Sequence, residues 1–199
     1  MLVPTPSAKD TPLLVLVSGA PGSGKSTLAR RLAEHMRLPH IERDLVFWGM
    51  RYTADGVIDQ SKEGISAYYA TITGMLRCGI SVVTDGTMYR GISEEDVREQ
   101  LVPIARVVNV HCRATGEHER FYAREMNRRG GPPDWLEDYM PKLKKIYPDT
   151  AEPLDLGCPL IEVDTTNEYA PTLDDIAAQL EDRNNKVRKG HPYATKTSN

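Results

Sequence analysis

Short unbroken apolar runs punctuate the chain, and between them apolar residues recur at helical spacing. Leu13 to Ser18 (LLVLVS) has no polar face, the mark of a strand buried on both sides in a parallel sheet. Ile80 to Thr84 (ISVVT), Arg106 to His111 (RVVNVH) and Pro159 to Val163 (PLIEV) predict three more strands, and Pro39 to Arg43 a short one. Leu28, Leu32 and Met36 stand at i, i+4 and i+8, which predicts a helix from Ser26 to Met36. Further helices are predicted over 62–77, from Ser93 to about Leu101, over 115–128, and from Thr172 to about Glu181. Ser93 to Asp96 (SEED) resembles a capping box, and Thr172 to Asp175 (TLDD) caps the last helix. Strands alternating with helices imply right-handed parallel crossovers and a doubly wound α/β domain.

Composition narrows the class without naming a function. The 199 residues suit one domain, or one with a small insertion, and the chain is long enough to fold without disulfides or metal. Residues 1–11 and 183–199 are polar or proline-rich and are expected to be flexible tails, leaving a domain over 12–182. Cys78, Cys112 and Cys158 are widely spaced and contain no CxxC, against a disulfide framework or a zinc site and in keeping with a reducing cytoplasm. The five histidines show no metal spacing, and His111 is read as structural. No apolar run approaches the ~18 residues a membrane span needs, so no membrane partner is expected. A net charge of −3 is not the footprint of a protein that holds nucleic acid by charge alone.

The chemistry enters with Gly19-Ala20-Pro21-Gly22-Ser23-Gly24-Lys25-Ser26, which fits G-x-x-x-x-G-K-[ST] in full, with Thr27 following. It lies where that motif must lie, directly after the first strand and before the first helix. Glycines let the backbone wrap a phosphate, and loop amides and the helix N-terminus turn their partial positive charge inward. Lys25 is expected on the β- and γ-phosphates, and the Ser26 hydroxyl in a Mg²⁺ shell. Asp85 ends the third strand, where a carboxylate holds Mg²⁺ directly or through water; the bland alternative is that Asp85-Gly86 is only a turn.

The stretches GAPGSGKSTLARRLAEHMRLPHIERD, SVVTDGTMYR, VVNVHCRATGEHERFYAREMNRR and PLIEVDTT resemble the small P-loop kinases over about residues 13–181. That group includes polynucleotide 5′-hydroxyl kinases, gluconate and shikimate kinases, and zeta-toxin-like and antibiotic kinases. The resemblance is greatest to its loosely defined bacterial ATPase and predicted-kinase members. It implies a nucleoside-monophosphate-kinase-like fold with a parallel sheet in the order 2-3-1-4-5, and a lid over roughly 113–148. It also implies ATP and Mg²⁺ as cofactors. Asp44, at the end of the second strand, would take the proton of the attacking hydroxyl; its bland role is to cap the next helix. Arg120, Arg124 and Arg128 recur on one helix face, and the resemblance picks Arg120 and Arg124 as the residues that meet the transferring phosphate. Gly130-Gly131-Pro132-Pro133 offers a hinge. The loop carrying Thr165 would lie beside the adenine.

The chain departs from the polynucleotide kinase pattern, which resembles Arg-Asp-Asp-x-x-Arg. Three residues after Asp44 stands Phe47, not arginine. A small-molecule acceptor in a pocket walled by Phe47 and Trp48, with Tyr52, Tyr68 or Tyr69, is therefore expected ahead of nucleic acid; for each aromatic, packing a helix on the sheet is an equal alternative. The expected function is ATP-dependent phosphoryl transfer to a hydroxyl of a small molecule. The alternatives are a polynucleotide 5′-hydroxyl kinase and a nucleotide-dependent regulatory ATPase. For a GTPase switch, Asn185-Lys186-Val187-Arg188 lacks the aspartate of N/T-K-x-D.

Overall fold

The computed structural model describes residues 11–53, 62–128 and 136–182. Residues 1–10 of the tail expected over 1–11, the tail expected over 183–199 and the Gly130 to Pro133 hinge lie outside them, as do the side chains of Tyr52 and Arg128. The described elements run β1 (Leu13–Gly19), α1 (Lys25–Met36), β2 (His40–Glu42), α2 (Arg43–Thr53), α3 (Lys62–Arg77), β3 (Val82–Asp85), α4 (Ser93–Gln100), β4 (Arg106–Arg113), α5 (Glu117–Arg128), α6 (Leu136–Ala151), β5 (Leu160–Asp164) and α7 (Leu173–Glu181). The five strands form one parallel sheet in the order β2-β3-β1-β4-β5, as the resemblance implies.

β1 sits in the middle with Val15 opposite both Val83 and Val108, and all seven of its residues are buried. Successive strand side chains point to opposite faces, so one apolar run serves two layers. Leu13, Val15 and Val17 pack with Leu28 and Leu32 of α1 and Ile176 and Leu180 of α7. Leu14 and Leu16 pack with Tyr68, Ile72 and Leu76 of α3 and Val97 of α4. A smaller cluster, Phe121 with Leu136 and Leu143, joins α5 to α6. A strand covered on both faces holds its carboxyl end fixed, and the motif loop leaves from that end.

Several boundaries differ from the sequence reading, each for a local reason. Ile80 does not begin β3. Gly79 takes φ 78° and the Ile80 amide donates to Met75 O at 3.0 Å, closing α3, so Ile80 is spent on a helix end and is exposed. β2 stops at Glu42, and Asp44 is not a strand end: Arg43 and Asp44 form the first turn of α2. The capping box at Ser93 does not form. Ile92 is the N-cap, Ser93 Oγ accepts from the Tyr89 amide, and the buried Glu94 accepts from the amides of Gly91 and Asp155. α6 has no counterpart among the predicted helices: Pro141 and Pro148 stand inside it, yet Leu136 and Leu143 bury against Phe121 and the helix runs through both prolines.

The box at Thr172 does form, with Thr172 Oγ1 accepting from the Asp175 amide and the Asp175 carboxylate accepting from the Thr172 amide. Thr172→Ala is expected to destabilise the protein by about 1 kcal/mol. Urea denaturation monitored by circular dichroism checks this, as a lower midpoint at unchanged slope.

Candidate active site

The loop between β1 and α1 is held by contacts that leave no room for side chains. Gly22 has φ 91°, and a Cβ built there would lie 1.9 Å from Glu117 O at the start of α5. Gly24, the left-handed N-cap of α1, would place its Cβ 3.0 Å from Thr165 Oγ1. Thr165 Oγ1 donates to Ser23 O at 2.6 Å, its amide donates to Arg113 O, and its carbonyl accepts from Arg120. Thr165, expected only beside the adenine, thus also braces the loop against β4, β5 and α5.

Lys25 opens α1 and is buried, with Nζ 3.4 Å from Ala20 O. Burial lowers its pKa, while the carboxylates of Asp85 and Asp44 pull it back up and Arg124 pushes it further down. Lysine, both aspartates and Arg124 therefore share one electrostatic neighbourhood. Ser26 Oγ donates to Asp85 Oδ2 at 2.5 Å, and Asp85 Oδ1 lies 2.7 Å from His40 Nε2. Sequence reading missed His40. Its partnership depends on the parallel register of β2 with β3, which no local pattern shows.

Ser26 and Asp85 supply hard oxygen donors side by side, and among the described residues no cluster of three or more His, Cys, Asp or Glu could cage a metal. That donor set fits Mg²⁺, which keeps several waters and is bound through one or two protein oxygens plus substrate phosphates.

Two cavities flank the loop. One, of about 470 Å³, is lined by Gly24, Thr27, Arg31, Arg120, Thr165 and Tyr169. The other, of about 310 Å³, is lined by Lys25 and Ser26 from the loop side, by Arg43, Asp44, Phe47 and Trp48 of α2, and by Arg124 of α5. The two expected arginines are thus divided. Arg120 reaches the first cavity, and Arg124, one turn further along α5, reaches the second. Arg124 also pairs with Glu125 at 2.9 Å and lies over the Phe121 ring at 5.1 Å.

Phe47 and Trp48 lie on the second cavity as expected, joined by Phe121, Tyr89 and Tyr139, which the sequence did not single out. Tyr68 and Tyr69 do not. Both are core residues: Tyr68 shares a hydrogen bond with Thr84 Oγ1 at 2.7 Å, and burial pushes the Tyr69 phenol up to about 12. His111 is buried, with Nδ1 against Ser18 Oγ and Nε2 against Ala151 O, and burial lowers its pKa, which keeps it neutral and structural. All three cysteines are free, and burial raises the Cys112 thiol to about 12.

A parallel 2-3-1-4-5 sheet with this loop at the end of its central strand defines a P-loop kinase fold. The chain belongs to the AAA domain family, whose model matches residues 14–118. A provisionally named kinase from Chloroflexus aurantiacus is 26% identical, with a TM-score of 0.66 over 85% of this chain and 94% of that one. A gluconokinase from Sinorhizobium meliloti shares the fold at 20% identity and a TM-score of 0.56, over 85% and 92% of the two chains. A cytidylate kinase of Methylocella silvestris is 28% identical over 112 residues, 56% of this chain. The chain spans about half of that relative's length, 48%. The resemblance to the small P-loop kinases holds at the level of family and fold.

Gly22→Ala is expected to weaken binding of a non-hydrolysable ATP analogue by about tenfold or more, equivalent to about 1.4 kcal/mol. Gly91→Ala, at a positive φ with open space around it, carries the backbone strain alone and serves as the control. Calorimetric titration of both variants measures the difference.

Proposed function

We propose that the protein transfers the γ-phosphoryl group of ATP to a hydroxyl of a small-molecule acceptor. One observation carries this reading: Asp44 faces the same 310 Å³ cavity as Lys25, Ser26 and Arg124. Proton acceptor, phosphate-binding lysine and a second cation thus surround one space large enough for a small acceptor.

The larger cavity takes the nucleoside, with Arg120 and Thr165 at its wall. The loop amides of residues 19 to 24, with Lys25, hold the phosphate chain, and the Thr27 side of α1 lies toward the nucleoside. Ser26 and Asp85 would hold Mg²⁺, which neutralises phosphate charge when bound. His40 fixes the Asp85 carboxylate from its second oxygen, so the carboxylate cannot rotate away from Ser26. The acceptor oxygen forms its bond to the γ-phosphorus as the bond from that phosphorus to the β,γ-bridging oxygen breaks. The electron pair leaves with ADP, and the hydroxyl proton passes to the Asp44 carboxylate. Arg124 meets the equatorial oxygens as charge redistributes over them. Apolar walls from Phe47, Trp48 and Phe121 limit water, the competing acceptor.

The position of Asp44 in the first turn of α2 fits a helix-capping role as well, and one substitution separates the two. Asp44→Asn keeps the shape and the capping ability and removes the proton acceptor. Transfer is expected to fall by ~10²-fold or more, with affinity for an ATP analogue within a few-fold of the parent. Normal transfer by this variant leaves Asp44 a purely structural residue.

Arg124 generates a second expectation. Its guanidinium is already oriented by Glu125 and Phe121, so it needs little reordering to act. Arg124→Ala should lower kcat more than nucleotide affinity, whereas Arg120→Ala, on the nucleoside cavity, should raise the KM for ATP more than it lowers kcat. Equal losses in both parameters for the two variants would show a general electrostatic effect instead of two positions with separate tasks.

A further inference from the structure

Lys25, Arg43 and Arg124 bring three cationic side chains to the acceptor cavity, and the proposed transfer uses only two. Lys25 belongs to the nucleotide phosphates and Arg124 to the transferring group. Arg43 is the third. Its side chain packs against Gly86, where a Cβ would lie 2.9 Å from Arg43 Cδ. Its Nη1 donates to Thr87 O at 2.5 Å, and its guanidinium lies over the Phe47 ring at 5.0 Å from the centroid. Among the described residues no carboxylate lies within ion-pair distance of it. A guanidinium carries five donors, and a carbonyl and a ring face leave most of them open.

The placement is also costly for a cation. Arg43 is the first residue of α2, at the positive end of the helix dipole, where a positive side chain is disfavoured and an anion favoured. Its backbone neighbour Asp44 faces the same cavity as the proposed proton acceptor. The first turn of α2 thus presents an oriented, unpaired guanidinium beside the group that would receive the hydroxyl proton.

We infer that the acceptor is an anionic small molecule whose oxyanion, a carboxylate or a phosphate, is held by Arg43. The inference rests on the proposed transfer only for the assignment of the cavity to the acceptor. Arg43 is a specificity residue here: it binds the far end of the acceptor and so sets which hydroxyl stands at Asp44. The planar fork of a guanidinium suits two oxygens of one oxyanion, which a lysine ammonium does not match. The aromatic walls at Phe47, Trp48 and Tyr139 cover the rest of the molecule.

The test uses matched pairs differing in charge: gluconate with glucitol, glycerate with glycerol, and cytidine 5′-monophosphate with cytidine. Initial rates are measured for the full chain and for Arg43→Met and Arg43→Lys. The anionic member is expected to have a kcat/KM at least about tenfold higher, a difference of about 1.4 kcal/mol. Arg43→Met should erase that preference mainly through KM, and Arg43→Lys should restore part of it. Preference for the neutral members, or a preference for the anion that survives in Arg43→Met, overturns the inference and leaves hydroxyl transfer standing. Label appearing on the phosphate of cytidine 5′-monophosphate overturns the hydroxyl reading and the far-end placement of the oxyanion, and supports an anion site at Arg43 only where Arg43→Met abolishes that labelling; labelling that survives in Arg43→Met overturns the inference. Where no pair reacts, inorganic phosphate is titrated by calorimetry into protein saturated with Mg²⁺ and a non-hydrolysable ATP analogue, which fills the loop. Saturable binding abolished in Arg43→Met and kept in Arg43→Lys supports the site; no binding, or binding indifferent to Arg43→Met, overturns it. Arg43→Lys keeps the charge and most of the stem, so the comparison holds even where Arg43→Met folds poorly.

Discussion

Two segments press on the motif loop so closely that its shape is dictated from outside. Glu117 O occupies the space a side chain at residue 22 would need, Thr165 closes on residue 24, and the Ser23 carbonyl is tied to the Thr165 hydroxyl. The loop therefore cannot relax without moving the start of α5 and the exit of β5. Those two segments carry Arg120 and Thr165, which border the cavity we assign to the nucleoside, and α5 carries Arg124 into the other. One packing constraint thus fixes the phosphate cradle and both of its neighbours. Such preorganisation gives fixed dipoles their value, because nothing has to reorient when phosphate charge arrives.

The charges around the loop are arranged to be incomplete by themselves. Lys25 is buried at a cost that its lowered pKa records, and the nearby Asp85 and Asp44 offset only part of it. Asp85 is itself almost fully buried and spends both oxygens on Ser26 and His40. Arg124 has a carboxylate partner in Glu125, while Arg43 has a carbonyl and a ring. A phosphate chain supplies the negative charge that Lys25 lacks, so nucleotide binding and local stability are linked through the same residues.

The parts legible in the sequence are those in which neighbours in the chain do the work. β1, the loop and α1 read correctly because a buried strand, a glycine-rich turn and a helical repeat are contiguous and each has its own pattern. α7 read correctly because its cap lies within four residues. α2 was hidden because Phe47, Trp48 and Gly49 are indifferent or poor helix formers, and Val46 and Phe47 fold up by packing on the second core. α6 was hidden because its two prolines argue against a helix that Leu136 and Leu143 stabilise from outside. His40 and Arg43 were overlooked because their partners, Asp85 and Thr87, lie more than forty residues away and meet them only through the β2–β3 register. The aromatics divided for a related reason: composition names candidates for a wall, and only packing separates Phe47 from Tyr68.

The two cavities lie on opposite sides of a single loop, with Gly24 bordering one and its immediate neighbour Lys25 bordering the other. A compound joining a nucleoside to an acceptor analogue through a polyphosphate tether would thread past the loop and fill both chambers. Each half would then be delivered at the high local concentration set by the tether, a gain of about 10²- to 10⁴-fold over either half alone. Tether length would be the selective variable, since a chain one phosphate too short strands its second half against the loop wall. A ladder of such compounds would act as a molecular ruler for the separation between the two chambers.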